Sequence, residues 1–309
     1  MQPIVANRAL YIKLGEGGKW EKECLTEGTL RFRYREVPHD VCMSGNWPEA
    51  ERLALTFSKG RGAATRHVNQ IRKFYEEDDK TLWMTFHLDR LWWCFADAHV
   101  EVLPGDIKQR RVVGSWHDSD INGAPLLKGT LSGKLLAVHG FQGTICSVSD
   151  IEYLLHKING TVQPHVATAQ KAFEDLRVAL IPIIKRLHPK DLEILTDLIF
   201  RQCGWQRVGV AGGTEKDIDL DLISPVTEER IAVQIKSQAD ARIWREYRDK
   251  YIDMRGFNRF YFVTHSPDAT LIAEARGTED DSFIFWGVED LALQSARGGL
   301  TGWLIDKAA

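Results

Sequence analysis

The feature that most constrains this chain is the run Gly212 to Gln238, GGTEKDIDLDLISPVTEERIAVQIKSQ. Asp217, Asp219 and Asp221 alternate with Ile218, Leu220 and Leu222. That period of two gives a strand one wet face and one buried face. Ser224-Pro225 marks a turn, and Ile231 to Ile235 predicts a second strand ending in Gln234-Ile235-Lys236. Alternation places Gln234 and Lys236 on one face of it, and hairpin pairing is expected to bring Asp221 beside them. A carboxylate, a second oxygen ligand and an ammonium at one strand end suit metal-assisted phosphodiester hydrolysis. Carboxylate and carbonyl oxygens hold Mg²⁺ (or Mn²⁺), the metal polarises a phosphoryl group and acidifies a water, and Lys236 stabilises the developing charge. The same spacing also describes an acidic hairpin whose Asp and Lys side chains simply face solvent.

The stretch GGTEKDIDLDLI…IAVQIKSQ resembles the core of the Mrr-like branch of the PD-(D/E)XK nucleases, and HPKDLEILTDLIFRQCGW (His188 to Trp205) is similar to the helix that opens that domain. The resemblance covers about residues 185 to 290. It implies an α/β sandwich with a mixed sheet, Asp221 as a metal ligand, Gln234 where most of the superfamily has an acid, Lys236 as the catalytic lysine, and Glu193 at the helix-borne acidic position. Two departures matter. Ile218-Asp219 stands where the family often has Gly-Gly, so Asp219 competes with Asp221 for the metal. Gln234 is neutral and ligates only through its amide oxygen, which weakens the site by one charge.

At 309 residues the chain has room for two domains, each with its own core. Residues 1–150 are expected to form one, 151–187 a helical connector and 188–309 the other. No apolar run approaches the ~20 residues of a membrane span, and no basic-then-apolar leader opens the sequence. Five cysteines, odd in number and without CxxC spacing, point to a reducing compartment and argue against a zinc ribbon. A cytoplasmic, prokaryotic location is expected. The net charge of -3 makes no global case for nucleic acid, so any such binding has to come from local patches. No GxxxxGK[ST] motif occurs, so no nucleotide cofactor is expected.

Residues 1–150 read as short strands (9–14, 53–57, 81–86, 91–95, 100–103 and 135–138) with helices at 20–27 and 63–76, the pattern of a small, partly open β-barrel. The stretches YIKLGEGGKWEKE, GAATRHVNQIRKFYEEDDKTLWMTFHLDRLWW and AHVEVL look like the PUA-like group, the EVE, YTH and SRA-type domains. That resemblance implies an aromatic cage for a flipped or modified base. Trp20, Trp47, Trp83 and Trp93 are the candidates for it, since stacking on aromatic faces offsets the cost of extruding a base. Core packing is the competing role for each of these rings. Arg31 and Arg33 alternate on one strand face, Arg61 and Arg66 flank the helix, and Lys108, Arg110 and Arg111 read as a loop run; each is a candidate phosphate contact.

Together these readings suggest a modification-dependent restriction endonuclease, with a base reader ahead of an Mg²⁺-dependent nuclease. Its partner would be double-stranded DNA carrying a modified base. Cutting both strands needs two active sites, so a homodimer is expected. A nuclease of DNA or RNA indifferent to base modification, acting in phage defence, and a non-catalytic nucleic-acid-binding protein with a decayed nuclease fold are the alternatives.

Overall fold

The computed structural model describes residues 2–208, 218–278 and 280–309, and the chain divides into two compact units, Met1–Pro164 and His165–Ala309. Gly212, Gly213 and Asp217 of the motif therefore lie outside the described residues.

The first unit contains β1 (Ala9–Ile12), α1 (Glu21–Glu27), β2 (Thr29–Arg33), α2 (His39–Met43), α3 (Trp47–Ala54), α4 (Arg61–Glu76), β3 (Leu82–His87), β4 (Arg90–Ala96), β5 (Glu101–Leu103), β6 (Ile107–His117), α5 (Gly133–Leu136), β7 (Ile145–Ser147) and α6 (Ile151–Ile158). Its strands pair in the order β2-β6-β4-β3-β1-β7, with β5 added to β6; β1 and β3 run parallel. The path is open from β2 to β7. Among the described residues no pairing joins β2 to β7, so the mixed sheet does not close into a barrel.

α4 follows its spacing: Ala64, Val68, Ile71 and Phe74 form a buried stripe against Phe32 and Trp83. Two expected strands are helical. Residues 53–57 fall at the end of α3 and in the turns that follow it; Asn46 caps that helix by accepting from the Glu49 amide at 3.3 Å, with Pro48 in the first turn. Residues 135–138 fall in α5 and the helical turn after it, where Ser132 accepts from Leu135. Conversely, the basic loop expected around Lys108 to Arg111 lies within β6, an eleven-residue strand.

The second unit contains α7 (Pro164–Ile184), α8 (Pro189–Gln202), β8 (Gln206–Arg207), β9 (Leu220–Ile223), β10 (Arg230–Ala239), α9 (Ala241–Asp253), β11 (Arg259–Pro267), α10 (Ala269–Arg276), β12 (Phe283–Trp286), α11 (Val288–Arg297) and α12 (Thr301–Ala308). Five strands form a mixed sheet in the order β12-β11-β10-β9-β8, parallel on the β12 side and antiparallel on the β8 side. Leu220, Leu222, Val233 and Ile235 turn one face of the sheet toward Leu192, Leu195, Ile199 and Phe200 of α8. Ala232, Phe260 and Phe262 turn the other toward Trp244 and Tyr247 of α9 and Leu271 of α10. Helices on both faces of a mixed sheet make an α/β sandwich.

The segment expected to be a separate connector is shared between the two cores. Leu154 and Ile158 of α6 pack with Leu82 and Met84, while Leu180, Ile184 and Leu187 pack with Leu195 and Val233.

Candidate active site and base pocket

The register of the hairpin decides which aspartate meets Gln234. Asp221 lies opposite Ala232 and Leu220 opposite Val233. One step further, the Asp219 amide donates to Val233 O at 2.9 Å, and the Asp219 carboxylate takes over from the main-chain ladder. Its Oδ2 accepts from the Ile235 amide at 2.6 Å and from Gln234 Nε2 at 2.5 Å. Lys236, two residues along the same face, acts on this carboxylate through its charge. The group brought together is therefore Asp219, Gln234 and Lys236.

Asp221, expected at the centre of that group, is turned to another partner. Both its oxygens are held by Arg230, whose Nε and Nη2 donate at 2.8 and 2.5 Å, and Arg230 in turn lies over the Phe257 ring at 4.7 Å. A bidentate guanidinium occupies the carboxylate edge that a metal would use. Glu193 is not brought to the group either. It is exposed on α8, and α8 packs against the Val233 and Ile235 face, opposite Gln234 and Lys236.

The site is tuned in two ways. Burial pushes the Asp219 pKa upward, against the amide, Gln234 and Lys236, which favour its charged form. The Lys236 ammonium lies over the Tyr247 ring, its Nζ 5.4 Å from the centroid, and Lys250 Nζ approaches the same ring at 4.8 Å. Tyr247 was not anticipated as part of the site; its position on the inward face of α9 was readable only as core spacing.

The residues present fit a divalent ion. Gln234 is almost fully buried, and with Nε2 spent on Asp219 its Oε1 has no hydrogen-bond partner among the described residues. A buried amide oxygen without a partner costs about 1–3 kcal/mol, and a hard cation beside a desolvated carboxylate removes that cost. Among the described residues no three His, Cys, Asp or Glu side chains form a metal-holding group. An ion here would rest on Asp219, Gln234 Oε1, water and a substrate phosphate.

In the first unit, the four candidate tryptophans separate. Trp83 is 0% exposed and packs edge-on against Phe74 with Arg110 over its ring at 5.3 Å. Trp93 is buried, stacks on His117 and donates from Nε1 to Ser119 O at 2.9 Å. Trp47, on α3, donates to Glu76 at 2.8 Å. Trp83 and Trp93 thus sit in the core, and Trp47 is half-buried on α3. Trp20 borders a cavity of about 400 Å³, where it is joined by Lys13, Arg31, Arg33, Tyr34 and His67. The volume lies in the range of small-molecule sites.

Tyr34 shares a 2.7 Å hydrogen bond with His67 Nδ1, which fixes the two rings in an edge-on pair. Burial lowers the His67 pKa, which favours the neutral ring. Lys13, Tyr34 and His67 were missed by a search for tryptophans, although Lys13 sits in the same YIKLGEGGKW stretch as Trp20.

The candidate phosphate contacts separate too. Arg31 and Arg33 line the cavity. Arg31 is ion-paired to Glu23 at 2.6 Å and Glu27 at 2.7 Å and donates to Gln109. Arg61 and Arg66 are exposed on α4, outside the cavity lining, with Arg61 3.8 Å from Glu51. Lys108 and Arg110 are interior: Lys108 donates to Tyr34 O and Val37 O, and Arg110 to the carbonyls of Phe74, Asp78, Ala96 and Asp97.

No protein family and no curated protein matches this chain. Among solved structures, it has distant likeness to the DNA modification-dependent restriction endonuclease AspBHI (15% identity, TM-score 0.31, 92% of this chain and 80% of that one). A second is the restriction endonuclease FokI bound to DNA (14%, 0.25, 65% and 36%), and a third the MspJI restriction endonuclease in complex with a 27-mer oligonucleotide (11%, 0.23, 92% and 75%). At TM-scores this low, the functional reading rests on the side chains.

Proposed function

We propose that this chain is a metal-dependent DNA endonuclease whose first unit reads a modified base. The observation that carries the reading is the buried, unpartnered Oε1 of Gln234 beside the Asp219 carboxylate, with Lys236 on the same strand face. Asp219 and Gln234 Oε1 would hold Mg²⁺ or Mn²⁺, which supplies phosphoryl polarisation and a more acidic water. Lys236 donates hydrogen bonds to a phosphate oxygen and stabilises the charge that builds there. The Ile235 amide and Gln234 Nε2 hold the Asp219 rotamer, so the carboxylate is preorganised before substrate arrives. Asp221 keeps the hairpin closed through Arg230 and takes no part in the chemistry.

The cavity bordered by Trp20, Tyr34 and His67 would take the flipped base, replacing the stack it has left. Severing both strands needs two copies of the Asp219–Gln234–Lys236 site, so the protein would act as a dimer on double-stranded DNA. Matched plasmids with and without modified bases, incubated with the protein and Mg²⁺, test both halves. Cutting confined to the modified plasmid and abolished by EDTA is the expected result. Equal cutting removes the reader, and no cutting of either plasmid in Mg²⁺ or Mn²⁺ removes the nuclease.

A further inference from the structure

The cavity of the first unit has a charge imbalance that bears on which modification it takes. Its two neighbouring arginines differ. Arg31 is neutralised by Glu23 and Glu27, whereas Arg33 has no ion-pair partner among the described residues and its buried Nε has no hydrogen bond. Lys13 adds an ammonium held by the main-chain oxygen of Phe141 and by no carboxylate. Lys19 lies over the Trp20 ring at 5.0 Å. Glu16 is the one acid among the lining residues. The wall thus offers aromatic faces, hydrogen-bond donors and excess positive charge.

A methyl group meets none of those demands. Placed against Arg33, it would displace water from the guanidinium and return no acceptor, and unpaired charged donors are the most costly groups to desolvate. An oxygen-bearing substituent would return one, and a carboxylate would form a charge-assisted, two-point hydrogen bond to the guanidinium. Sites built to hydrogen-bond a substituent reject the analogue that lacks it far better than apolar sites reject an extra methyl.

We propose that this pocket selects a base whose modification carries oxygen (carboxyl above formyl or hydroxymethyl, with methyl last), and that Arg33 is the residue that reads it. The inference rests on the base-reading role given to the first unit. It goes further in fixing the chemistry of the base.

Fluorescence anisotropy with the full-length protein in EDTA tests it, using duplexes that differ only at one cytosine: unmodified, 5-methyl, 5-hydroxymethyl, 5-formyl or 5-carboxyl. The carboxyl duplex should bind at least about tenfold more tightly than the methyl duplex, a difference of about 1.4 kcal/mol. Arg33→Gln should shrink that ratio to within about twofold, and Arg33→Lys, which keeps the charge, should retain part of it. If Arg33→Gln fails to fold, the order of affinities in the wild-type protein still decides. Methyl binding as tightly as carboxyl overturns the inference while leaving the base-reading role in place. Equal binding of all five duplexes overturns both.

Discussion

Asp219 and Asp221 are two residues apart on one strand face, yet they are set in opposite circumstances. Asp221 shares its charge with Arg230, at 2.5 Å, in a partly exposed pair. Such pairs are worth about 0.2–1 kcal/mol, so Asp221→Asn should lower stability by that order while leaving most of the cleavage rate intact. Asp219 is a carboxylate whose pKa burial has raised. The sign follows: a pKa higher in the folded than in the unfolded chain favours folding below the unfolded pKa, and that benefit is lost as pH rises through the folded value. At neutral pH the ionised Asp219 therefore destabilises the metal-free protein. Asp219→Asn should leave the thermal midpoint unchanged or higher in EDTA, yet abolish both cleavage and the upward shift that Mg²⁺ gives the wild type. Lowering the pH should weaken Mg²⁺ binding at a higher pH than an ordinary carboxylate would, measured by titration calorimetry across pH 4 to 8.

At the scale of elements, β6 carries the strongest contrast between charge and place. Its Lys108 and Arg110 are 2% and 0% exposed, and burial lowers the pKa of both cations. Arg110 ties strand ends to α4 through the Phe74 and Ala96 carbonyls. Replacing it by Met should leave several buried carbonyls unpartnered and cost about 3 kcal/mol or more in denaturant unfolding. A phosphate-contacting arginine would instead change DNA affinity with little change in stability. The sequence run Lys108 to Arg111 carried no sign of this, because basic residues read as solvated until the carbonyls that receive them are placed in space. Elements with strong periodic signals were legible: α1, α4 and the QIK strand lie within a few residues of expectation. Residues 53–57 and 135–138 failed for the opposite reason, since short apolar runs suit a helix end as well as a strand and the Asn46 and Ser132 caps decided the matter. The hairpin of β9 and β10 was legible as a pair of strands but not in register. A register difference of two residues exchanges Asp221 for Asp219 while keeping the same face, and composition cannot fix it. Trp20 was singled out by residue type; Tyr34 and His67, which line the same cavity, meet it only through the fold.

Across the whole molecule, each unit buries its own apolar clusters, the first around Leu10, Phe32 and Trp83 and the second around Leu222, Val233 and Phe262. That independence predicts that residues 165–309 expressed alone fold cooperatively and retain Mg²⁺-dependent cleavage without preference for modified DNA, as judged by thermal unfolding and plasmid assays. No described helix is long and apolar enough to cross a membrane. The two aspartates are told apart by Mg²⁺-dependent cleavage of a modified plasmid by the wild type, Asp219→Asn and Asp221→Asn side by side. The expected result is full cutting by the wild type, loss of at least about a hundredfold in Asp219→Asn, as removing a key stabilising group commonly gives, and near-wild-type cutting by Asp221→Asn. Retained cutting in Asp219→Asn, or its loss in Asp221→Asn alone, would contradict it.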